Sequence, residues 1–137
     1  MAMRLEIVTP ERKTFSDTVD LVVLPGSEGE MGVLENHADL VTALIPGELR
    51  YLKDGVETEL AVGSGVVEVN AHSVSVLTDM AVSEAEIDEA AVQEALQRAE
   101  AALRENHIGD EEVATVEAAI QKSLAQLQLK RKRRRTV

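Results

Sequence analysis

The densest set of chemistry-bearing side chains lies in one stretch, Leu24-Pro25-Gly26-Ser27-Glu28-Gly29-Glu30-Met31-Gly32-Val33-Leu34-Glu35-Asn36-His37-Ala38. The carboxylates of Glu28, Glu30 and Glu35 and the imidazole of His37 ride on glycines spaced three apart, Gly26, Gly29 and Gly32. Proline fixes φ and glycine reaches φ > 0 without penalty, so the spacing predicts a shaped loop rather than a strand. A glycine-rich loop is a candidate phosphate cradle. The Lys-Ser/Thr pair of a nucleotide P-loop is missing, however, and the carboxylates repel phosphate. The plain alternative is a surface loop joining two strands.

Other reactive sets do not assemble in the sequence. His37, His72 and His107 lie far apart and lack the spacing of HExxH or a Cys/His cluster, so each reads as a turn or surface histidine. With no cysteine there is no disulfide, thiolate metal site or thiol nucleophile, which fits a reducing compartment. No Gly-x-Ser-x-Gly elbow and no local Ser/His/Asp set occurs. Carboxylates abound, but with 25 acidic against 14 basic residues most read as a solvated face. The sequence holds no catalytic constellation and reads as a binding and regulatory protein.

Positive charge is concentrated at one end. Lys130-Arg131-Lys132-Arg133-Arg134-Arg135 holds six of the 14 basic residues, leaving residues 1–129 with 8 basic against 25 acidic, a formal −17. Such a terminal block usually marks an interaction tail. Nucleic acid is one partner class, although the rest is acidic and Phe15 and Tyr51 are the only aromatic side chains. An anionic lipid surface is a second. An acidic protein segment, met by charge steering, is a third. A solvated tail is the fourth reading.

The elements that position these groups follow from periodicity. At 137 residues the chain is one domain, or a small domain plus an appendage. Residues 3–9 alternate apolar and polar, as a half-buried strand does. Val19, Leu21 and Val23 predict one face of a strand ending at Pro25. Leu40 to Ile45 predicts another, stopped by Pro46-Gly47. Leu49 to Lys53 and Val56 to Val62 flank Asp54-Gly55, a tight-hairpin signal. Gly63 and Gly65 mark a bend or bulge, and Val66 to Val69 and Val74 to Leu77 complete a last hairpin. Many short strands with frequent turns predict a β-sandwich or barrel ending near Met80.

At Ser83 the period changes from 2 to 3.6. Ser83-Glu84-Ala85-Glu86 has the form of a capping box. Val92, Leu96, Ala99 and Leu103 form one helical stripe, and Val113, Val116, Ile120, Leu124 and Leu127 a second. His107-Ile108-Gly109 ends the first helix, and Asp110, Glu111 and Glu112 begin the next with favourable dipole sign. Two narrow-faced helices joined by a short turn make an antiparallel hairpin whose packing is modest. No N-terminal apolar run has signal-peptide length, and no stretch approaches the ~18 apolar residues of a membrane span, so a membrane link is expected through a partner.

Leu24 to Leu44 resembles the signature of the epsilon subunit of the F-type ATP synthase, a rotary central-stalk protein. Val62-Gly63-Ser64-Gly65-Val66-Val67-Glu68-Val69, followed by Val74 to Asp79, matches the end of the same domain, and the resemblance runs over nearly the whole chain in order. It implies a β + α fold, an N-terminal β-sandwich over 1–82 followed by a C-terminal antiparallel two-helix hairpin over 83–137. It further implies a non-catalytic rotor subunit of the proton-translocating bacterial enzyme, without a cofactor. Its partners would be the gamma subunit, the c-subunit ring and the catalytic beta subunit, with no nucleic acid and no direct membrane insertion. Its place would be peripheral, at the cytoplasmic face of the cell membrane.

By matching position, Glu30 with Glu28 beside it, and His37, are the expected contacts with the c ring and gamma. Asn36 stands where the family has Gly, and Asn tolerates the left-handed region better than most residues, so the loop shape is expected to survive. The family's hairpin folds on the sandwich in one state and extends in another to block ATP hydrolysis. Lys122, Lys130, Arg131, Lys132, Arg133, Arg134 and Arg135 are the cations available to meet an acidic loop of the beta subunit. Some members bind ATP at the start of the first helix, which gives an alternative function as an ATP-sensing module whose hairpin closes on nucleotide. Ile87, Asp88 and Arg98 match that pattern here, but Ala91 replaces its arginine and Val92 its alanine, so ATP binding is expected to be weak or absent.

Overall fold

The structure, a computed structural model, describes residues 3–104 and 109–135, and of residues 14 and 133–135 the backbone alone. Ten strands come first: β1 (Met3–Val8), β2 (Lys13–Val19), β3 (Leu21–Gly26), β4 (Gly29–Leu34), β5 (Leu40–Leu44), β6 (Gly47–Lys53), β7 (Val56–Val62), β8 (Gly65–Val69), β9 (Ser73–Thr78) and β10 (Ala81–Ser83). A single 3₁₀ turn (Glu84–Glu86) leads into α1 (Glu89–Arg104) and α2 (Asp110–Arg135). The β-sandwich and following helix pair agree with the expected fold.

The strands hydrogen-bond in the order β10-β7-β6-β3-β5-β8-β9-β1-β2, with β4 added to β3. One register pair, Gly26 with Leu44, joins β3 to β5, and there the sheet turns over on itself. The period-two pattern then fills the space between its halves. Leu5, Ile7, Val67, Val74 and Val76 enter from one half and Val22, Leu24, Val33, Leu49 and Leu60 from the other, all in one buried cluster. Phe15 and Tyr51, with ring centroids 4.5 Å apart, pack against this core.

The outer face of β5, β8, β9 and β1 is less polar than alternation alone requires. Ala43, Val66, Leu77 and Val8 are consecutive register partners across those four strands and so line up in one row. Val41, on the same face two residues from Ala43, is 68% exposed, and Leu77 is 49% exposed.

Turn chemistry explains the connections. Asp54 and Gly55 both take positive φ, 52° and 79°, the geometry of the tight hairpin expected there. Gly65 faces β9 so closely that an added Cβ would collide with the Leu77 carbonyl. Asn36 has φ of 66°, the left-handed conformation expected when Asn replaces Gly.

Several elements differ from the sequence reading. The strand expected over Val19 to Pro25 is two strands: the chain breaks at Asp20, whose N–H donates to the Leu52 carbonyl at 2.8 Å. The buried positions of β3 are accordingly Val22 and Leu24 rather than Leu21 and Val23. The glycine stretch is largely a hairpin and not a free loop, because Gly26 pairs with Gly29 around Ser27-Glu28 and Gly32 pairs with Val23.

The first helix begins later than Ser83. Strand β10 carries the chain along β7 to Ser83, then the carboxylate of Glu86 accepts from the Ser83 N–H at 3.1 Å and from its hydroxyl at 2.9 Å. That closes one 3₁₀ turn, and Ile87 (φ −84°, ψ 120°) is extended again. The proposed end of the first helix at His107-Ile108 lies outside the described residues. Gly109 offers its carbonyl to the Val113 N–H at 3.0 Å, at the start of α2.

The stripe of α2 also departs from expectation. Leu124 is 39% exposed, while Ser123, Ala125, Leu127 and Leu129 are buried. The C-terminal half of α2 is covered on two sides, by α1 and by the outer face of β7 and β6, and a two-sided burial has no single helical stripe. Ala125 and Leu129 join Ala61 and Ile87 in a second, smaller core.

Candidate functional site

No single cleft gathers the expected residues; they occupy three places on the fold. The first is the tip of the β3–β4 hairpin. Glu28 sits in its two-residue turn, exposed, and Glu30 follows on the edge strand β4. Glu30 is held: the Arg50 guanidinium of β6 forks onto both its oxygens at 3.1 and 3.4 Å, reaching across β3 to do so. Arg50 also lies 4.0 Å from Glu57 of β7. These carboxylates, Glu30 first, raise the guanidinium's already high pKa. His37 is at the other end of β4, beyond about 13 Å of extended strand. Its Nδ1 donates to the Ala38 carbonyl at 2.8 Å, a local turn contact. The hairpin brings Glu28 and Glu30 together and leaves His37 apart.

The second place is the basic end of α2, where each described cation is taken by the chain's own acidic groups. Lys122 reaches Asp79 at 3.5 Å, and Lys130 reaches Glu84 at 3.0 Å. Arg131 turns to α1, to Glu89 at 3.4 Å and to the Gln93 amide oxygen at 3.0 Å. Lys132 lies 2.9 Å from Glu48 and 3.4 Å from Glu59. The side chains of Arg133, Arg134 and Arg135 lie outside the described residues.

The strand register explains why two carboxylates meet Lys132. Glu59 is the partner of Arg50, and Glu48 lies two residues from Arg50 on the same face of β6. The pair is not the solvated face expected of an acidic chain, since the Glu59 side chain is only 10% exposed. Burial pushes the Glu48 carboxyl above the usual range; Lys132 opposes that shift and the Glu59 carboxylate adds to it. The bond to Glu48 raises the Lys132 ammonium in turn.

The third place is the start of α1. Ile87 is buried against Ala61, Ala125 and Leu129. Asp88 caps the helix, its Oδ1 accepting from the Ala91 N–H at 3.2 Å and its carbonyl from the Val92 N–H at 3.0 Å. Both residues are therefore committed to packing and capping. Arg98 is exposed further along α1.

Sequence reasoning missed Arg50, Glu48, Glu59, Asp79 and Glu84. The available signal was alternation, which places Glu48 and Arg50 on one face of β6 and Glu57 and Glu59 on one face of β7. What hid them is that those faces are covered by a helix from the far end of the chain.

Residues 2–84 match the β-sandwich domain of the ATP synthase delta/epsilon chain family, and residues 85–131 match its long α-helix domain. The chain is 40% identical over 134 residues to the ATP synthase epsilon chain of Herpetosiphon aurantiacus, covering 98% of each. It is 42% identical over 133 residues to that of Dehalococcoides mccartyi, covering 97% of this chain and 95% of the other. Among solved structures it is similar to a chain of the Euglena gracilis mitochondrial ATP synthase in its OSCP/F1/c-ring assembly. There the TM-score is 0.75 and the identity 25%, over 93% of this chain and 79% of that one. A chain of the Tetrahymena thermophila mitochondrial ATP synthase central stalk and c ring shares the fold, with a TM-score of 0.56 and 13% identity over 96% of each.

Proposed function

The chain belongs to the delta/epsilon chain family of ATP synthase, and from that premise we propose a non-catalytic central-stalk subunit that couples c-ring rotation to ATP synthesis and restrains ATP hydrolysis. Residues 1–82 form the rotor foot and residues 83–137 the regulatory hairpin. The subunit is peripheral, carried on the cytoplasmic face of the cell membrane through its partners; among the described residues no helix is long and apolar enough to cross a membrane.

The sandwich offers two unlike surfaces for the rotor. The row Ala43, Val66, Leu77 and Val8, with Val41 beside it, suits an apolar protein face, which we assign to gamma. The acidic tip at Glu28 and Glu30 suits a polar loop of the c ring, with His37 at the edge of the same assembly.

The observation that carries the regulatory role is the pairing of Lys122, Lys130, Arg131 and Lys132 with the chain's own acidic groups. Those pairs are about a quarter to a half exposed at the cation, so each contributes only about 0.2–1 kcal/mol. The apolar contact beneath them is small. A hairpin held this way is exchangeable, and an acidic loop of the beta subunit offers the same cations an equivalent partner.

The test uses the catalytic core complex assembled with the full chain and with a chain ending at Leu129. Ending there keeps the buried leucine and removes Lys130 to Arg135. Faster ATP hydrolysis with the shortened chain identifies the basic end as the brake. Equal rates leave a rotor foot alone.

A further inference from the structure

Arg50 and Lys132 meet four carboxylates between them. Arg50 faces Glu30 and Glu57, while Lys132 faces Glu48 and Glu59. The two sets share one surface: Arg50 and Glu59 are register partners on β6 and β7, and Glu48 lies on the same strand face as Arg50. Of these groups, Glu30 is on the ring-facing tip and Lys132 is on the hairpin, while the others belong to the sheet between them.

We infer that Arg50 is a positioning residue that couples the chain's two working ends, fixing Glu30 while Lys132 neutralises Glu48 and Glu59 beside it. The reading of Glu30 as a c-ring contact, given above, underlies the functional half of this inference. Among the described residues β4 pairs only with β3, and at the tip it is the β3 side that is tied further, Gly26 to Leu44 and the Pro25 carbonyl to the Ile45 N–H, so Glu30 on the edge strand has no backbone link beyond β3. Val33 anchors the far half of β4 in the core, and among the described residues the Arg50 fork is the side-chain hydrogen bond that ties the Glu30 end to the sheet beyond β3. A planar guanidinium with two contacts fixes direction as well as distance, which a single ammonium does not.

The coupling comes from charge balance. With the hairpin docked, Arg50 and Lys132 together face the four carboxylates. When α2 leaves, it takes Lys132 with it, and Glu48 and Glu59 then draw on the guanidinium already bound to Glu30. The electrostatic pull of Glu48 on Arg50 is present even in the docked state. Glu30 loses part of its fork, and the tip loosens on the ring. By reciprocity, a ring that holds Glu30 in place favours the docked hairpin to the same extent.

The experiment has two arms, each using the full chain. In the isolated protein, the proton-exchange rates of the Arg50 Nη–H groups, which form the fork to Glu30, are followed by NMR in wild type, Lys132→Gln and Lys132→Arg. In a purified gamma–c-ring subcomplex, binding of the same proteins and of Arg50→Lys and Glu30→Gln is measured.

The expected results are faster Nη–H exchange and about fivefold weaker binding for Lys132→Gln, with both restored in Lys132→Arg. Arg50→Lys is expected to weaken binding at least as much while its melting temperature stays close to wild type. Unchanged Arg50 exchange in Lys132→Gln overturns the coupling. Wild-type binding by Arg50→Lys, when Glu30→Gln binds weakly, overturns the positioning role. Wild-type binding by Glu30→Gln removes the ring contact itself, and the NMR arm then still decides the coupling.

Discussion

Lys132 meets Glu48 at 2.9 Å although 84 positions separate them in the chain. The pair closes one end of the hairpin's contact with the sandwich, and Lys122 with Asp79 closes the other. Between them lie the small core around Ala61, Ile87, Ala125 and Leu129 and the Lys130–Glu84 pair.

Removing the cation should cost more than removing one of its carboxylates. Lys132→Gln leaves Glu48 and Glu59 adjacent without the ammonium, whereas Glu48→Gln leaves Lys132 with Glu59 and relieves a desolvated charge. We expect a loss of about 1 kcal/mol for Lys132→Gln and a smaller change for Glu48→Gln. Hydrogen exchange of the α2 amides, which open with the hairpin, checks the order; equal losses would contradict it.

Gly65→Ala tests the sheet's tightest approach. A Cβ at this position runs into the Leu77 carbonyl, which is fixed backbone and cannot swing aside. The expected cost is about 1–3 kcal/mol in urea unfolding. Gly32→Ala, where a Cβ meets nothing within 4 Å, serves as the comparison and should cost far less.

Asp88→Ala should act as a lost helix cap. Its carboxylate accepts from the Ala91 N–H, and truncation should lower stability by about 1 kcal/mol with fraying confined to the first turn of α1. Because Ile87 and Asp88 serve packing and capping, titration of the wild-type chain with millimolar ATP should give no binding heat in calorimetry.

Acid should unfasten the turn before α1 once the Glu86 carboxylate is protonated. The Ser83 N–H, followed by its hydroxyl, holds the Glu86 carboxyl below its usual value, and Arg12 at 3.2 Å adds to the effect. A lowered carboxyl contributes stability that is complete above its unfolded pKa of about 4.3 and is lost as pH falls through the lower folded value. Glu48, raised by burial, has the opposite sign: its protonation favours the docked state as pH falls. Unfolding followed from pH 7 to 3 should therefore lose less stability in Glu86→Gln than in wild type, and more in Glu48→Gln.

The parts legible from sequence were those set by local rules. Asp54-Gly55 announced its hairpin, Asn36 its left-handed backbone, and Asp110 to Glu112 the start of α2. The break at Asp20 was hidden because Val19, Leu21 and Val23 alternate straight through it; the break is made by a hydrogen bond to Leu52, which no local pattern reveals. The glycines of β4 pointed to a loop because their freedom is a local property, while their pairing with β3 is not. The cations of α2 were legible as a block. Their acceptors were not, since Glu48, Glu59 and Asp79 become a receptor only where the helix returns to cover them.

That return fixes how far the positive charge travels. In the folded hairpin Lys130 sits beside Glu84, at the very turn from which the helices depart. Laid end to end, α1 and α2, of 16 and 26 residues, would span about 63 Å. The groups nearest the pivot when folded become the most distant when straightened, like the tip of a folding rule. At a right angle between the helices they would already stand about 46 Å from the pivot, so the charge comes within reach of distant acidic partners throughout the opening. The hairpin thus turns its own loosening into reach for the charge it carries.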